Sequence, residues 1–454
     1  MTTTAPLPVD DGTTPVHDTP EVEAEESAWR YKGSAPFGDD ELDRRLFCGR
    51  KNEITTVIHS ILSHDLLLVY AVSGMGKTSL LSAGVFEPLR ERGYWPIIVR
   101  LNDPSKRIVE LIDERLRSAD AADDEIEITR NPSLPPLDVA TATLWDLLAG
   151  LEVWKGNSLQ RPVLVFDQFE ELFTLPWDEH DRAQFIVSFG EVIRRHRSEP
   201  QSLTDFDRTT AADTERAVDA GAAPPVAPPP PNIKVVLVMR EDSLGELERL
   251  AADVPQILQH RFRLEGLDPE QAMAAITEPA QVSDPNLKSH TFKYQDEAAA
   301  TILEFLRSRQ ERGRTVTSRF AEPPQLQIIC EHVERTILPG KRPSDEPDAV
   351  VEITDADLGG RDGLQRILRD FYRTKLQMFA RKDRRRVREL CETGLITPSH
   401  RRLSLEQESI EQQFHVSKAT LDKLVEHRVL RVETRLDSSY YELAHDTMVP
   451  PILA

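Results

Sequence analysis

The chain has 454 residues, 39% of them hydrophobic, and a formal net charge of −21. This length allows two or three domains with their own cores, and the negative charge opposes non-specific binding to nucleic acid. Its three cysteines, Cys48, Cys330 and Cys391, are too widely spaced to indicate a disulfide framework or a zinc site. No apolar run approaches the ~20 residues of a membrane span, and no signal peptide is evident. We therefore expect a cytoplasmic protein that does not enter a membrane.

The first half of the chain alternates strand and helix patterns. Residues 1–32 are acidic and poor in apolar side chains, which predicts a disordered tail. Residues 33–267 contain apolar strands separated by helices, as in a parallel sheet covered on both faces. The predicted strands are Leu66–Val72, Trp95–Leu101, Pro162–Asp167, Lys234–Met239 and Arg261–Leu264. The predicted helices are Thr78–Glu87, Pro104–Arg117, Thr141–Leu151 and Asp181–Arg197.

Loops and further domains are predicted by changes in composition. The segment Ser118–Leu137 is acidic and then contains prolines, which indicates a loop. Residues 199–231 form a proline-rich insertion that is unsuited to a helix or a central strand. Helical periodicity without strands predicts a helical domain over 268–400. Residues 401–454 follow a winged-helix pattern, with helices Glu406–Gln413 and Lys418–Glu426 and strands Val429–Glu433 and Tyr440–Leu443.

A phosphate-binding loop is predicted between the first strand and the helix that follows it. Its residues are Ser73, Gly74, Met75, Gly76, Lys77, Thr78 and Ser79. Small residues let backbone N–H groups wrap around an anion at the helix N-terminus. Lys77 can neutralise the outer phosphates, and the Thr78 hydroxyl can bind Mg²⁺. Ala71 stands where the strict pattern has glycine, while Gly74 and Gly76 keep the bend flexible.

A second group of candidate residues follows the strand that ends at Asp167. A carboxylate at this strand end can complete the Mg²⁺ shell, so Asp167 is the second predicted metal ligand. Hydrolysis also needs a group that orients or deprotonates water. Gln168 can position water but is a poor base, which makes Glu170 and Glu171 the candidate bases. Favourable charge at a helix N-terminus is an equally good explanation of these two glutamates.

Arg240 ends another predicted strand at the same edge of the sheet. From there, its guanidinium can reach a γ-phosphate. Pairing with Glu241 or Asp242 is the alternative. We favour the phosphate role.

Three strings of residues carry a resemblance to a known family. They are Phe47-Cys48-Gly49-Arg50-Lys51-Asn52-Glu53-Ile54, the phosphate loop with Leu80-Leu81-Ser82-Ala83-Gly84-Val85, and Asp167-Gln168-Phe169-Glu170-Glu171-Leu172-Phe173. Further similar strings lie at residues 262–267, 275–280, 322–327 and 441–446. Together they resemble the novel STAND NTPases, signal-transduction ATPases with numerous domains related to NLR-type AAA+ switches. The fold implied is an α/β P-loop NTPase with a helical lid and a winged-helix-like domain.

The resemblance also implies nucleotide contacts outside the phosphate loop. They are Phe47, Gly49 and Arg50 over the base and ribose, Pro323 or Pro324 on adenine, and His445 at the β-phosphate of ADP. A capping role at a strand end is the other explanation of His445. The implied activity is an ATP/ADP switch in signalling or defence, closed with ADP, self-associating with ATP and reset by slow hydrolysis. Family members carry effector and sensor domains that this chain lacks, so we expect a fragment, a minimal switch or a component that acts with partner proteins.

Two other functions are compatible with the sequence. A DNA-binding regulator would use the positive residues of the predicted winged helix, although the acidity of the chain opposes this. These residues are Lys418, Lys423, Arg428 and Arg431. A nucleotide-stabilised scaffold without turnover is the other possibility, because Ala71 and Gln168 both fit slow or absent hydrolysis. The residues themselves leave GTP open as an alternative to ATP.

Overall fold

The computed structural model describes residues 28–121, 125–132, 134, 136–197, 229–311, 314–341, 350–397, 402–426, 429–435, 438–443 and 449–453. Residues 1–27 of the predicted tail lie outside this part of the chain, as do residues 199–228 of the predicted insertion. His445 and Arg428 lie outside it as well.

A seven-stranded sheet forms the centre of the N-terminal half. In chain order, the strands of the described residues are β1 (Leu66–Ala71), β2 (Tyr94–Arg100), β3 (Ile126–Arg130), β4 (Leu151–Lys155), β5 (Ser158–Asp167), β6 (Lys234–Arg240), β7 (Arg261–Arg263), β8 (Phe292–Tyr294), β9 (Ser308–Glu311), β10 (Arg314–Thr317), β11 (Val351–Ile353), β12 (Leu405–Glu406), β13 (Leu430–Arg435) and β14 (Ser438–Leu443). The strands β2, β5, β6, β1 and β7 lie side by side in that order and run parallel. All the strands predicted over residues 33–267 are therefore present.

Helices cover the sheet and form most of the C-terminal half. The α-helices of the described residues are Glu41–Leu46, Lys51–Ser63, Lys77–Ser79 with its continuation to Arg90, Ile108–Ala121, Leu144–Leu148, Glu171–Thr174, Glu179–Arg194, Leu244–Leu247, Pro269–Thr277, Asp296–Arg307, Pro323–His332, Asp355–Leu358, Gly360–Gln377, Arg381–Glu389, Gln407–Phe414, Lys418–Glu426 and Val449–Leu453. In the part of the chain that the structure describes, no helix combines the length and the apolar character needed to cross a bilayer.

The sheet is buried on both faces, as the apolar strands predict. Leu164 and Phe166 of β5 pack into a core on one face, while Val163 and Val165 pack into a core on the other. Successive side chains of a strand point to opposite faces, so a strand that is apolar at every position needs cover on both sides. The α/β architecture predicted from the sequence, a parallel sheet covered on both faces, is confirmed.

An antiparallel extension of the sheet corrects two sequence-based expectations. The segment predicted as a loop contains β3, and the predicted helix Thr141–Leu151 ends at Leu148 before β4 begins. β3 pairs with β4, and β4 pairs with the first residues of β5. Ile126 of β3 is buried and Glu127 is exposed, so this acidic residue of the predicted loop lies on the solvent face of a strand.

Short strands also occur where only helices were expected. β8 pairs with β11 across 59 positions, from Phe292 to Val351, and β9 pairs with β10. Three- or four-residue strands produce too little periodicity to be detected in a sequence. The remaining segments of this region are helical and pack around their own apolar core.

The N-terminal segment is anchored in the helical region. Arg30 and Tyr31, which the composition assigns to the disordered tail, are almost completely buried there. Both backbone N–H groups donate to the carboxylate of Glu334 at 3.2 Å. A few residues later, the N–H of Phe37 donates to the Ser79 hydroxyl at 3.1 Å. This segment therefore connects the helical region with the predicted phosphate loop.

The C-terminal region contains a helix pair followed by a β-hairpin. The helices Gln407–Phe414 and Lys418–Glu426 precede β13 and β14, which pair antiparallel, and β12 adds to β14. A separate apolar core includes Ile410, Leu421 and Tyr441. The order of elements is the one expected from the sequence, and its classification as a winged helix stays a prediction.

Candidate functional site

A cavity of about 500 Å³ lies at the carboxyl ends of β1, β5 and β6. Ligand pockets have volumes of roughly 300–1,000 Å³, and this edge of a parallel sheet is where α/β proteins bind ligands. Three parts of the chain line the cavity. They contribute the loop Ser73–Ser79 with Asp167 and Arg240, the helical region with Ala275, Pro323 and Pro324, and the C-terminal hairpin with Arg431 and Val432.

The loop between β1 and the next helix has the backbone of an anion cradle. Gly74 and Gly76 have φ angles of 86° and 88°, in the left-handed region that favours glycine. Gly76 directly precedes the helix that starts at Lys77. The loop therefore directs the N-terminal end of this helix, with its positive potential, into the cavity.

Lys77 is held inside this loop. Its Nζ donates to the carbonyl oxygen of Ala71 at 3.3 Å. Burial lowers the pKa of the ammonium, while the carboxylates of Glu170 and Asp167 oppose that shift. The side chain thus places a partly desolvated positive charge beside two acidic groups, where an anionic ligand would strengthen the protonated form.

Thr78 and Asp167 meet across the cavity floor. Oγ1 of Thr78 lies 3.3 Å and 3.2 Å from the two carboxylate oxygens of Asp167. Arg100, which the sequence reasoning did not select, donates to Oδ2 of Asp167 at 3.0 Å. It ends β2 directly beside Asp167 in the parallel register. Its position one residue before the end of the predicted strand Trp95–Leu101 was the signal that could have identified it.

The residues after β5 separate into exposed and buried groups. Gln168 is exposed and has a φ of 62°, a backbone conformation that residues other than glycine rarely adopt. Glu170 is 9% exposed, and its Oε2 accepts the backbone N–H of Arg240 at 3.3 Å. Burial raises the pKa of Glu170, with Lys77 opposing. Glu171 lines the cavity and begins a short helix.

Arg240 and the C-terminal hairpin close one side of the cavity. Arg240 pairs with the neighbouring Asp242, as the alternative explanation foresaw, and its Nη1 also lies 3.6 Å from Oε1 of Glu442. Arg431 pairs with the same oxygen of Glu442, and its Nη1 donates to the Ser73 hydroxyl at 3.0 Å. Sequence reasoning considered Arg431 only as a contact for DNA and did not select Glu442.

An apolar wall, formed by Phe37, Phe47, Pro323 and Pro324, lines part of the cavity. Phe47 packs on Phe37 with ring centroids 5.5 Å apart, and the two prolines begin the helix Pro323–His332. The buried hydroxyl of Ser79 accepts the Phe37 N–H and so holds Phe37 to the loop. An apolar wall in the same cavity as a cationic loop suits a planar ring attached to phosphates.

Gly49 and Arg50, which were predicted to contact the base and ribose, make other contacts in the structure. Gly49 is absent from the described residues that line the cavity, and its Cα faces the helix Pro269–Thr277, where an added Cβ would lie 2.3 Å from the carbonyl oxygen of Gln271. Arg50 lines the cavity, but its guanidinium donates to Glu53, to the carbonyl of Glu265 at 2.8 Å and to that of Met75 at 3.4 Å. Through the carbonyl of Met75, Arg50 supports the backbone of the phosphate loop.

Three solved structures align with most of this chain at low sequence identity. The Walker-type ATPase PABY2304 of Pyrococcus abyssi is 13% identical over 92% of this chain and 99% of its own, with a TM-score of 0.42. The Aeropyrum pernix ORC2 protein, solved as ADPNP–ADP complexes, is 10% identical over 89% and 92%, with a TM-score of 0.37. Cdc6p from Pyrobaculum aerophilum is 10% identical over 89% and 93%, with a TM-score of 0.35.

No curated protein matches the chain significantly. The sequence model described as Novel STAND NTPase 1 matches residues 31–301, more than half of the chain. This segment includes the phosphate loop, Asp167 and Arg240, and the match confirms the resemblance found in the sequence. The protein belongs to the Novel STAND NTPase 1 family of P-loop NTPases.

Proposed function

We propose that this protein is an ATP/ADP-dependent molecular switch in signalling or defence, in which bound ADP holds three domains together. The domains are the P-loop core (33–267), the helical lid (268–400) and the winged-helix-like domain (401–454). One observation carries the proposal: a single cavity is lined by all three, from Gly76 and Lys77 through Pro324 to Arg431. A ligand that fills this cavity contacts every domain at once.

The loop and the end of β5 would bind the phosphates and Mg²⁺. Lys77 and the N–H groups of Gly74–Ser79 supply positive potential to the phosphates. Thr78 and Asp167 present oxygen atoms 3.2 Å apart, the hard ligands that Mg²⁺ prefers. Arg100 neutralises part of the Asp167 charge, so Mg²⁺ would share this carboxylate with a cation already in place.

The apolar wall would hold the base. Phe47, Pro323, Pro324 and Ala275 line that side of the cavity, and such flat apolar surfaces stack on purines. We assign ATP and ADP as the nucleotides through family membership.

Glu170 is the better candidate for the catalytic base. It lies close enough to Lys77 to oppose the lowering of that residue's pKa, and burial raises its own pKa towards the range that suits a base. Gln168, exposed at the end of β5, would orient water. A glutamine in place of a carboxylate at this position makes hydrolysis slow, so turnover serves to reset the switch.

Switching follows from differential affinity. A nucleotide shifts an equilibrium only by as much as it binds one state better than the other. Contacts of the C-terminal hairpin with the phosphate loop, such as Arg431 with Ser73, belong to the closed state. In the open ATP state, the hairpin would leave the loop and expose a surface for self-association, with effector or sensor proteins as further partners.

The placement of Arg431 opposes the DNA-binding alternative. Its guanidinium pairs with Glu442 and Ser73 inside the protein, so this residue is turned away from any external DNA. A shift of the protein on labelled DNA that weakens with salt would favour the regulator instead.

The test begins with the nucleotide that co-purifies with the protein. We expect ADP, released on denaturation and identified by chromatography, and we expect Lys77→Ala to emerge without it. Lys293→Ala is the matched control, because Lys293 is exposed on β8, away from the cavity. Light scattering should then show a larger particle with a non-hydrolysable ATP analogue than with ADP.

Turnover is measured separately by phosphate release. We expect a rate below about 1 s⁻¹, the low end for enzymes, and a further decrease in Glu170→Gln. A wild-type protein that binds neither ADP nor ATP contradicts the proposal, and one that binds both without turnover supports the scaffold.

A further inference from the structure

We infer that Glu442 competes with the terminal phosphate of a triphosphate for two arginines, Arg240 and Arg431, and thereby makes the closed site prefer a nucleoside diphosphate. This inference rests on the proposed function, because it requires that the cavity binds a nucleotide. It adds a residue that sets specificity, on a strand distant in sequence from the phosphate loop.

Arg240 and Arg431 share one carboxylate oxygen of Glu442. Nη1 of Arg240 lies 3.6 Å from Oε1 of Glu442, and Arg431 contacts the same atom through Nε and Nη2. Arg431 and Glu442 are direct partners in the β13–β14 ladder, so the hairpin itself fixes this pair. Arg240 comes from β6 of the core, and Glu442 therefore joins two domains.

The two arginines also face the proposed nucleotide site. Both line the cavity, and Arg431 donates to Ser73, the first residue of the phosphate loop. Both also lower the pKa of Lys77 through their positive charge, so their fields reach the position of that ammonium. Glu442 is 8% exposed and is not among the described residues that line the cavity, whereas both of its arginine partners are.

A terminal phosphate can bind these arginines only in exchange for the carboxylate of Glu442. A guanidinium binds carboxylates and phosphates with the same planar array of donors. While Glu442 occupies these donors, a diphosphate held by Lys77 leaves the arrangement intact. A third phosphate adds negative charge next to a buried carboxylate, and it gains the arginines only if they release Glu442. The energy of that release weakens triphosphate binding selectively.

The balance of charge supports this reading. Arg240 has a second partner, Asp242, whose side chain is 62% exposed and well solvated. Glu442, with a side chain 11% exposed, contacts both arginines and does so through a lower dielectric than water. Glu442 is therefore the buried carboxylate whose charge the two arginines share.

The test compares the dissociation constants of ADP and of a non-hydrolysable ATP analogue by calorimetry in Mg²⁺ buffer. Glu442→Gln keeps the shape and removes the charge. We expect the constant for the ATP analogue to fall about tenfold and that for ADP to stay within about twofold, since a charge-assisted hydrogen bond corresponds to roughly that factor. Glu408→Gln, which removes an exposed carboxylate of the same domain, should change neither.

A second variant has the opposite expected sign. Arg431→Gln should weaken binding of the ATP analogue about tenfold with ADP within about twofold, and it should remove most of the gain of Glu442→Gln in the double variant. Loss of folding cannot produce opposite changes in two variants.

Equal changes for both nucleotides in Glu442→Gln, or no change, overturn the inference and leave the switch intact. Absence of nucleotide binding in the wild type overturns both.

Discussion

The hydroxyl oxygen of Thr78 lies 3.2 Å from Oδ2 of Asp167, although 89 positions separate the two residues. The parallel sheet creates this proximity, because β1 and β5 flank β6 and all three end at the same edge. A phosphate loop and an acidic strand end are thereby brought to one cavity. Their separation in the folded chain would have removed the basis for a nucleotide site.

The Thr78 hydroxyl should be needed for Mg²⁺ rather than for folding. Thr78→Val has nearly the same shape without the oxygen, and loss of a ligand or its support typically weakens metal affinity by about 10- to 100-fold. We expect this loss in a Mg²⁺ titration of ATP-analogue binding. Thr78→Ser retains the hydroxyl and should bind as the wild type does. Equal losses in both variants would contradict the assignment.

The contribution of Glu170 to the stability of the protein without nucleotide should fall as the pH rises through the range where Glu170 ionises. Burial raises the pKa of Glu170 above its ordinary value of 4.5 in the folded state. Above that value the unfolded chain loses the proton first, so the unfolded state binds fewer protons and stability declines with increasing pH.

Glu170→Gln removes this decline. The free energy of unfolding of the variant relative to wild type, from urea titrations, should therefore increase as the pH rises above 4.5, the ordinary pKa of this carboxyl. Glu408→Gln should show no such trend, because Glu408 is exposed. A difference that decreases with pH would mean that Lys77 and Arg240 outweigh burial.

Gly49 should be important for the joint between the core and the helical region. Gly49→Ala forces an alanine into the left-handed backbone conformation, which costs about 1–2 kcal/mol. It also places a Cβ 2.3 Å from the carbonyl oxygen of Gln271. Gly156→Ala is the matched control, because Gly156 also has a positive φ but has no atom within 4 Å of an added Cβ. We expect Gly49→Ala to lower the free energy of unfolding by more than Gly156→Ala does. Equal losses would indicate that the contact with Gln271 relaxes freely.

The ion pair of Arg30 and Glu334 should anchor the N-terminal segment. Both side chains are at most 1% exposed, and their charged atoms are 3.3 Å apart. Glu334→Gln leaves the arginine charge buried without its partner, a change that typically costs about 3–5 kcal/mol. The double variant Arg30→Met/Glu334→Gln removes both charges, so its free energy of unfolding should be higher than that of the single variant. A double variant that is less stable would show that the other hydrogen bonds of Arg30 dominate.

Local patterns in the sequence were sufficient for the core strands, the phosphate loop and the strand that ends at Asp167. Each depends on neighbours in the chain: continuous apolar runs require a sheet covered on both faces, and closely spaced glycines permit the left-handed bend that precedes Lys77. These features also sufficed to identify the family. The short strands β8 and β11 and the extension β3–β4 were not predicted, because pairing partners far away in the sequence stabilise them.

Only the tertiary structure decided which side chains share the cavity. It placed Arg100 beside Asp167, brought Arg431 of the C-terminal hairpin to Ser73 and Glu442, and directed Gly49 to a neighbouring helix. Periodicity reveals which face of an element is buried, whereas the partner across that face depends on how distant segments pack. Contacts between segments far apart in the sequence are therefore the part of this site that no local pattern contains.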